Sequence, residues 1–145
     1  MTTIVCPFCE IVSGARQASV VFADAQVMVI LDYRPLFLGH CLLMPKEHHE
    51  TLPEVPPDLA ATLMRRYQLL AGAVQQATGC DGTMLVVNNR VSQSVPHVHL
   101  HVIPRRRGDG LHGFFYPRLQ YKSATAMEAM RLSIASAMER LIHDA

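Results

Sequence analysis

A surplus of charge is what this sequence most plainly lacks: 13 lysines and arginines stand against 12 aspartates and glutamates, a formal charge of +1. No long-range field draws such a chain onto nucleic acid or an anionic membrane, so neither is expected as a partner and any anionic ligand must be held locally. No apolar run approaches the ~18 residues of a membrane span. The opening Met1-Thr2-Thr3-Ile4-Val5 has neither the basic flank nor the apolar stretch of a secretory signal, and a cytoplasmic location is expected. Cysteine is scarce. Only Cys6 and Cys9 are close in sequence, while Cys41 and Cys80 sit alone in apolar surroundings that suit a small buried side chain, so no disulfide framework is expected. With no repeat, low-complexity tract or linker, the expectation is one domain over residues 1–145.

What is present is apolar pattern. Half of the 145 residues are hydrophobic, and a domain of this size buries about 68–70% of its unfolded surface. Val20–Asp24 and Val27–Asp32 read as a pair of short strands around Ala25-Gln26, and His40–Pro45 as a third. Leu59, Leu63, Tyr67, Leu70 and Val74 recur at three- and four-residue spacing, which predicts a helix over Pro57–Ala77 with one buried face. Met84–Asn88 reads as a fourth strand and Val95–Ile103 as a fifth, ended by Pro104; the Ala- and Met-rich segment Ala124–Ile142 has helical spacing. The fold class expected is α+β: a mostly antiparallel five-stranded sheet, a main helix on its apolar face and a C-terminal helix.

The run His97-Val98-His99-Leu100-His101 falls on the fifth strand, placed here facing an exposed edge. Side chains alternate along a strand, so the three imidazoles project to one side, about 6.5–7 Å apart, and Val98, Leu100 and Val102 to the other. Three chemistries compete for such a row. It is a solvated face; or two of the rings join a third ligand on zinc, as in a metal-dependent hydrolase; or a neutral imidazole nitrogen attacks a phosphoryl centre near pH 7. Gln93 and Ser94, just upstream, and Asn88 and Asn89 offer donors that a turn can hold against a phosphate. Cys6-Pro7-Phe8-Cys9 has the spacing of half a tetrahedral zinc site, with reduced core cysteines as the plain alternative.

These residues resemble the histidine-triad (HIT) family, whose His-x-His-x-His followed by two apolar positions is matched throughout by His97-Val98-His99-Leu100-His101-Val102-Ile103. The likeness extends to Asp32, to His40–His48 and to Asn88–Pro104, roughly the first three quarters of the chain. Met44-Pro45-Lys46-Glu47-His48 and the Cys-x-x-Cys resemble bacterial members of the nucleoside-phosphoramidate hydrolase branch. The resemblance implies a HIT-like fold, a homodimer, purine nucleotide derivatives as substrates and no catalytic metal. His99 is then the nucleophile, His101 and His40 contact the phosphate oxygens, and Ser94 and Gln93 donate to the phosphate and leaving group. Asp32 takes the ribose hydroxyls, Asn88 lies near ribose and phosphate, and Tyr33 stands where an aliphatic residue often meets the base. It also implies a structural Zn2+ on Cys6, Cys9, His48 and His97, with His49 as the reserve ligand. A low-turnover nucleotide-binding scaffold is the non-enzymatic alternative.

One departure stands out. Asn89-Arg90-Val91-Ser92 replaces a longer glycine-rich loop, and serine avoids backbone conformations that glycine reaches, which puts leaving-group preference in question. Arg105-Arg106-Arg107 reads as a solvated loop or a polyphosphate contact. Gly113–Arg118 is aromatic, a flap, a dimer contact or core. His112 and His143 are expected at the surface, and Met127, Met130 and Met138 in a core or a dimer seam.

Overall fold

The computed structural model describes residues 5–111 and 120–143, in two compact units, 1–109 and 110–145. The first begins with a helix that the sequence reading missed, α1 (Pro7–Ser13). Pro7 opens it, where a missing N–H costs nothing, and Gly14 ends it at φ 82°. Then come β1 (Val20–Ala23), β2 (Val27–Leu31), β3 (Cys41–Pro45), a 3-10 turn at Leu52–Glu54, α2 (Pro57–Thr78), β4 (Gly82–Val87) and β5 (Leu100–Arg105). The strands form one antiparallel sheet in the order β1-β2-β3-β5-β4.

The helix predicted from periodicity is there to within a residue, and Leu59, Leu63, Tyr67, Leu70 and Val74 are its buried face. Asp24 accepts the N–H groups of Gln26 and Val27, closing the β1–β2 turn. The sheet has two apolar faces. Val27, Val29, Cys41, Leu43, Val98, Leu100 and Val102 pack under α2, and Met28, Ile30, Leu42 and Met44 pack with Phe8 of α1 on the other side. The Tyr67 hydroxyl donates to the carbonyl of His101 at 2.6 Å, tying α2 to β5. Cys41 and Cys80 are buried, as expected.

Two expectations about the histidine strand need correction. β5 is an inner strand between β3 and β4, not one facing an exposed edge. It also runs from Leu100 to Arg105, so His97 and His99 precede it and Pro104 lies within it. Two residues beyond Leu43↔Leu100 the register would bring Pro45 opposite Val98, and proline has no N–H to continue the ladder. At the other end, pairing with β3 stops at Cys41↔Val102, so Pro104, opposite Thr83 of β4, breaks no bond on the β3 side. The two-residue alternation persists through the irregular stretch, because Val98 is held under α2 and its N–H donates to the His49 carbonyl at 2.7 Å.

The second unit contains α3 (Ala124–His143). Ser123 Oγ accepts the N–H of Ala126 before its first turn. Met127 and Met130 are exposed and fill no core. His143 ends α3; its side chain, that of Met138, and His112 with Gly113–Arg118 lie outside the described residues.

Candidate functional site

The Cys-x-x-Cys motif spans the start of α1, with Cys6 at its N-cap and Cys9 in its first turn. The short helix packs on the sheet through Phe8, and this brings both thiols to His97 and His48. His97 Nδ1 lies 3.5 Å from Cys6 Sγ and 3.6 Å from Cys9 Sγ, and His48 Nδ1 lies 3.3 Å from Cys9 Sγ. His97 is fully buried and donates Nε2–H to the Pro45 carbonyl at 2.8 Å. That bond turns the Nδ1 lone pair toward the thiols. Burial pushes His97 down to about 4, against the opposing Pro45 bond, while burial, the hydrogen bond to Cys6 and its charge push the Cys9 thiol up. All four ligand atoms lie within 4.8 Å of one another. Ligands of a tetrahedral zinc with bonds of about 2.0–2.3 Å stand about 3.3–3.8 Å apart, so the donor set fits that ion. His49 is outside the cluster, its Nε2 being 3.6 Å from Glu47 Oε1.

Beside this cluster a cavity of about 780 Å³ opens between α1, the end of β2 and the histidine strand. It is within the range of small-ligand sites. Asp32, Tyr33, Ser94, His99 and His101 line it, on an apolar floor that includes Phe8, Ile11, Ile30 and Leu42. The row of imidazoles is therefore not a solvated face: His99 is 3% exposed, and its ring forms part of the cavity wall.

Hydrogen bonds fix how each ring carries its proton. His99 Nδ1 lies 2.7 Å from the His97 carbonyl, which only accepts, so His99 holds its proton on Nδ1 and its lone pair on Nε2. Asp32 ends β2 in a turn closed by the Arg34 N–H, and the chain folds back through Gly39 (φ 98°) to His40. The Leu36 N–H donates to His40 Nδ1 at 3.3 Å, which puts the His40 proton on Nε2; from there it is donated to His101 Nδ1 at 2.9 Å. His101 is left with its proton on Nε2, a buried atom with no partner among the described residues. Such an orphaned donor in a cavity wall is the counterpart of an anionic oxygen. Asp32 Oδ2 stands 3.6 Å from His40 Nδ1.

Burial dominates the electrostatics. It pushes His99 below the ordinary histidine range, against the His97 carbonyl and the charge of Asp32; it pushes His40 the same way, Asp32 again opposing; and with the neighbouring His99 and His40 it takes His101 to about 4. In all three rings burial favours the neutral form. One deprotonated nitrogen and one N–H without a partner among the described residues therefore belong to two rings of the same cavity wall.

Three expected residues are not brought to the cavity. His40, expected on the phosphate oxygens, is not in the lining and instead donates to His101. Gln93 spends its amide on the loop, accepting the Arg90 N–H at 2.6 Å and donating to the Glu50 carbonyl at 2.6 Å. Asn88, just past β4, is not in the lining, and its neighbour Asn89 accepts the Leu52 N–H. Arg105–Arg107 are engaged elsewhere: Arg105 pairs with Asp109, Arg106 donates to the Thr78 and Gly79 carbonyls at the end of α2, and the Arg107 N–H meets Asp81. Conversely, Arg16, Gln17, Ser19 and Arg34 line the cavity without any motif to mark them.

The HIT domain family model matches residues 13–108, which contain every triad histidine, and the chain belongs to the HIT family. Among relatives, an adenylylsulfatase, HINT3, of Arabidopsis thaliana is 39% identical over 108 residues, 73% of this chain but 55% of that protein, so the chain spans about half of its length. The adenosine 5'-monophosphoramidase hnt1 of Schizosaccharomyces pombe is 33% identical over 102 residues, 69% of this chain and 74% of the relative. A HIT family structure from Bacillus subtilis superposes with a TM-score of 0.81 at 30% identity, covering 90% of this chain and 95% of that one. A zinc-bound histidine triad protein from Mycobacterium smegmatis does so with a TM-score of 0.71 at 33% identity, covering 94% and 98%.

Proposed function

We propose that this chain is a nucleotide hydrolase or transferase that cleaves at the α-phosphate of a purine nucleotide derivative (a phosphoramidate, an AMP ester or a dinucleoside polyphosphate) through a nucleotidyl-His99 intermediate. One observation carries the reading: the His97 carbonyl holds the His99 proton on Nδ1, so that Nε2 presents a lone pair in a cavity where His101 Nε2–H has no other partner. In the first step Nε2 bonds to phosphorus, and the bond to the leaving group breaks with its electron pair. Water or another acceptor then attacks phosphorus, its proton passing to the released leaving group or to solvent, and the pair of the phosphorus–nitrogen bond returns to Nε2, releasing the nucleoside monophosphate or its transfer product. His101, ordered by His40, stabilises the charge on the phosphoryl oxygens, with Ser94 as a second donor. Asp32 and Tyr33, both in the cavity lining, take the ribose and base, and Gln93 acts through the loop it braces. The match to two nucleotide hydrolases by name supports the substrate class.

The reading includes a zinc held by Cys6, Cys9, His48 and His97, which when bound would supply a structural cross-link and no reaction chemistry. It also includes a cytoplasmic homodimer; β4, at an edge of the sheet with Leu85 exposed, offers a strand for a second copy.

Incubation with adenosine phosphoramidate and dinucleoside polyphosphates is expected to yield an adenylyl adduct that peptide mass spectrometry places on His99. His99→Asn is expected to abolish turnover and keep nucleotide binding. Normal turnover by that variant would overturn the mechanism, and nucleotide binding without turnover by the unsubstituted protein would favour the scaffold reading. A second reading rests on Asp32, His40 and His101, whose ligand atoms also lie within 4.8 Å of one another. The 2.9 Å contact of the two imidazoles is a hydrogen bond, however, shorter than the ~3.3 Å between nitrogens sharing a zinc. A second zinc per chain, essential for turnover, would support that alternative.

A further inference from the structure

Phe8, between the two cysteines, is not a ligand of the metal cluster, and its ring forms part of the cavity floor. It is buried in the core formed with Met28, Ile30, Leu42 and Met44, so its ring is held firmly by the sheet. That ring meets two imidazoles edge-on. Its centroid is 5.8 Å from His97 with the planes at 74°, and 5.0 Å from His99 with the planes at 82°. On another side His99 meets the His101 ring, at 4.9 Å and 57°. A single hydrogen bond, from Nδ1 to a carbonyl, leaves an imidazole able to swing about its side-chain bonds. Two rings, Phe8 and His101, lie against that of His99.

We infer that Phe8 is a positioning residue for His99, and that the Cys6-Pro7-Phe8-Cys9 knuckle orients the nucleophile as well as offering thiols to a metal. The inference rests on the proposed role of His99. Aromatic pairs at these distances favour perpendicular planes, in which a ring edge points at a π-face, and this preference goes beyond simple area burial. Cys6 and Cys9 flank Phe8 on the first turn of α1 and both approach His97, while the His97 carbonyl takes the His99 proton. Side-chain packing from the knuckle and the main-chain hydrogen bond from His97, which both thiols approach, therefore converge on one ring. Leucine at position 8 keeps an apolar filling and removes the aromatic contact; tyrosine keeps the ring.

The test compares the full chain with Phe8→Leu and Phe8→Tyr, histidine-labelled with nitrogen-15, with metal content measured in parallel. In the parent protein the His99 nitrogens are expected to show one fixed tautomer with the proton on Nδ1. In Phe8→Leu, at unchanged metal content and melting cooperativity, the signals should broaden or move toward a tautomer average. The rate of His99 nucleotidylation at saturating nucleotide should fall about tenfold, the order expected for losing one aromatic contact that orients a reacting group. Phe8→Tyr should restore both. Unchanged His99 signals in Phe8→Leu would overturn the inference, as would equal losses in the two variants. If the parent forms no adduct, the proposed chemistry fails, while the nitrogen signals still decide whether Phe8 orients His99.

Discussion

His40 and His101 meet nitrogen to nitrogen at 2.9 Å, His40 donating, and that direction is set two steps away by the Leu36 N–H on the other nitrogen of His40. The relay leaves the His101 Nε2–H without a partner among the described residues, in a ring that lines the cavity. His40→Phe removes the donor, lets His101 carry its proton on either nitrogen, and is expected to lower kcat about tenfold. His101→Ala removes the cavity donor itself and should cost more, on the order of 10²–10³-fold. Steady-state kinetics of both variants check the order; equal losses would show that His40 does more than orient His101.

Acid should weaken the fold through the same ring. His101 is pushed to about 4 in the folded protein from an ordinary 6.5, so between those values the unfolded chain binds the extra proton and the folded chain does not. Stability therefore rises with pH from about 4 to 6.5 and no longer changes through this group above that. Urea midpoints at pH 5 and pH 7 are expected to differ in favour of pH 7. His101→Phe, which keeps an apolar ring in place, should flatten part of that slope. An equally steep slope in the variant would remove His101 as its source.

Metal loss is the third prediction. Cys9→Ser is expected to abolish stoichiometric zinc and lower Tm, because the buried His97, His48 and the remaining Cys6 thiol lose their common partner. A loss of even ~1.5 kcal/mol moves Tm by about 5 °C in a chain of this size. Elemental analysis and calorimetry check both parts. Full zinc content in the variant would mean that the ion sits elsewhere.

The residues that show how much was legible are those of the two turns around the cavity. Period-two alternation placed Val98, Leu100 and Val102 in the core and the histidines opposite, and the three- and four-residue spacing from Leu59 to Val74 located α2. Those patterns are local, and burial enforces them. Where the strand begins was not legible, because it depends on Pro45, 52 residues from the His97 whose ring it receives. Nor was α1, whose 7 residues are too few to show a period and whose one buried side chain is Phe8. Arg16 and Arg34 reach the cavity only because α1 folds onto the sheet near the end of β2. Gln93 was assigned to the ligand by resemblance, but its amide is consumed by the loop's own main chain.

That loop supplies the last prediction. Serine in place of glycine was expected to keep the backbone out of left-handed conformations, yet Ser92 adopts φ 59° and Arg90 φ 69°. The left-handed region costs a residue with a side chain about 1–2 kcal/mol. Gln93 holds the turn closed from both sides, through the Arg90 N–H and the Glu50 carbonyl, and Ser94 follows it into the cavity wall. Ser92→Gly removes the conformational cost but adds unfolded-chain freedom of about 0.5–1 kcal/mol. The balance favours the variant, which is expected to be more stable by about 0.5–1 kcal/mol in denaturant unfolding. Gln93→Ala should act in the opposite sense, since it releases two hydrogen bonds of the clamp while leaving the left-handed residues in place. A destabilised Ser92→Gly together with a neutral Gln93→Ala would mean that the loop carries no strain, and that Ser94 is held by other contacts.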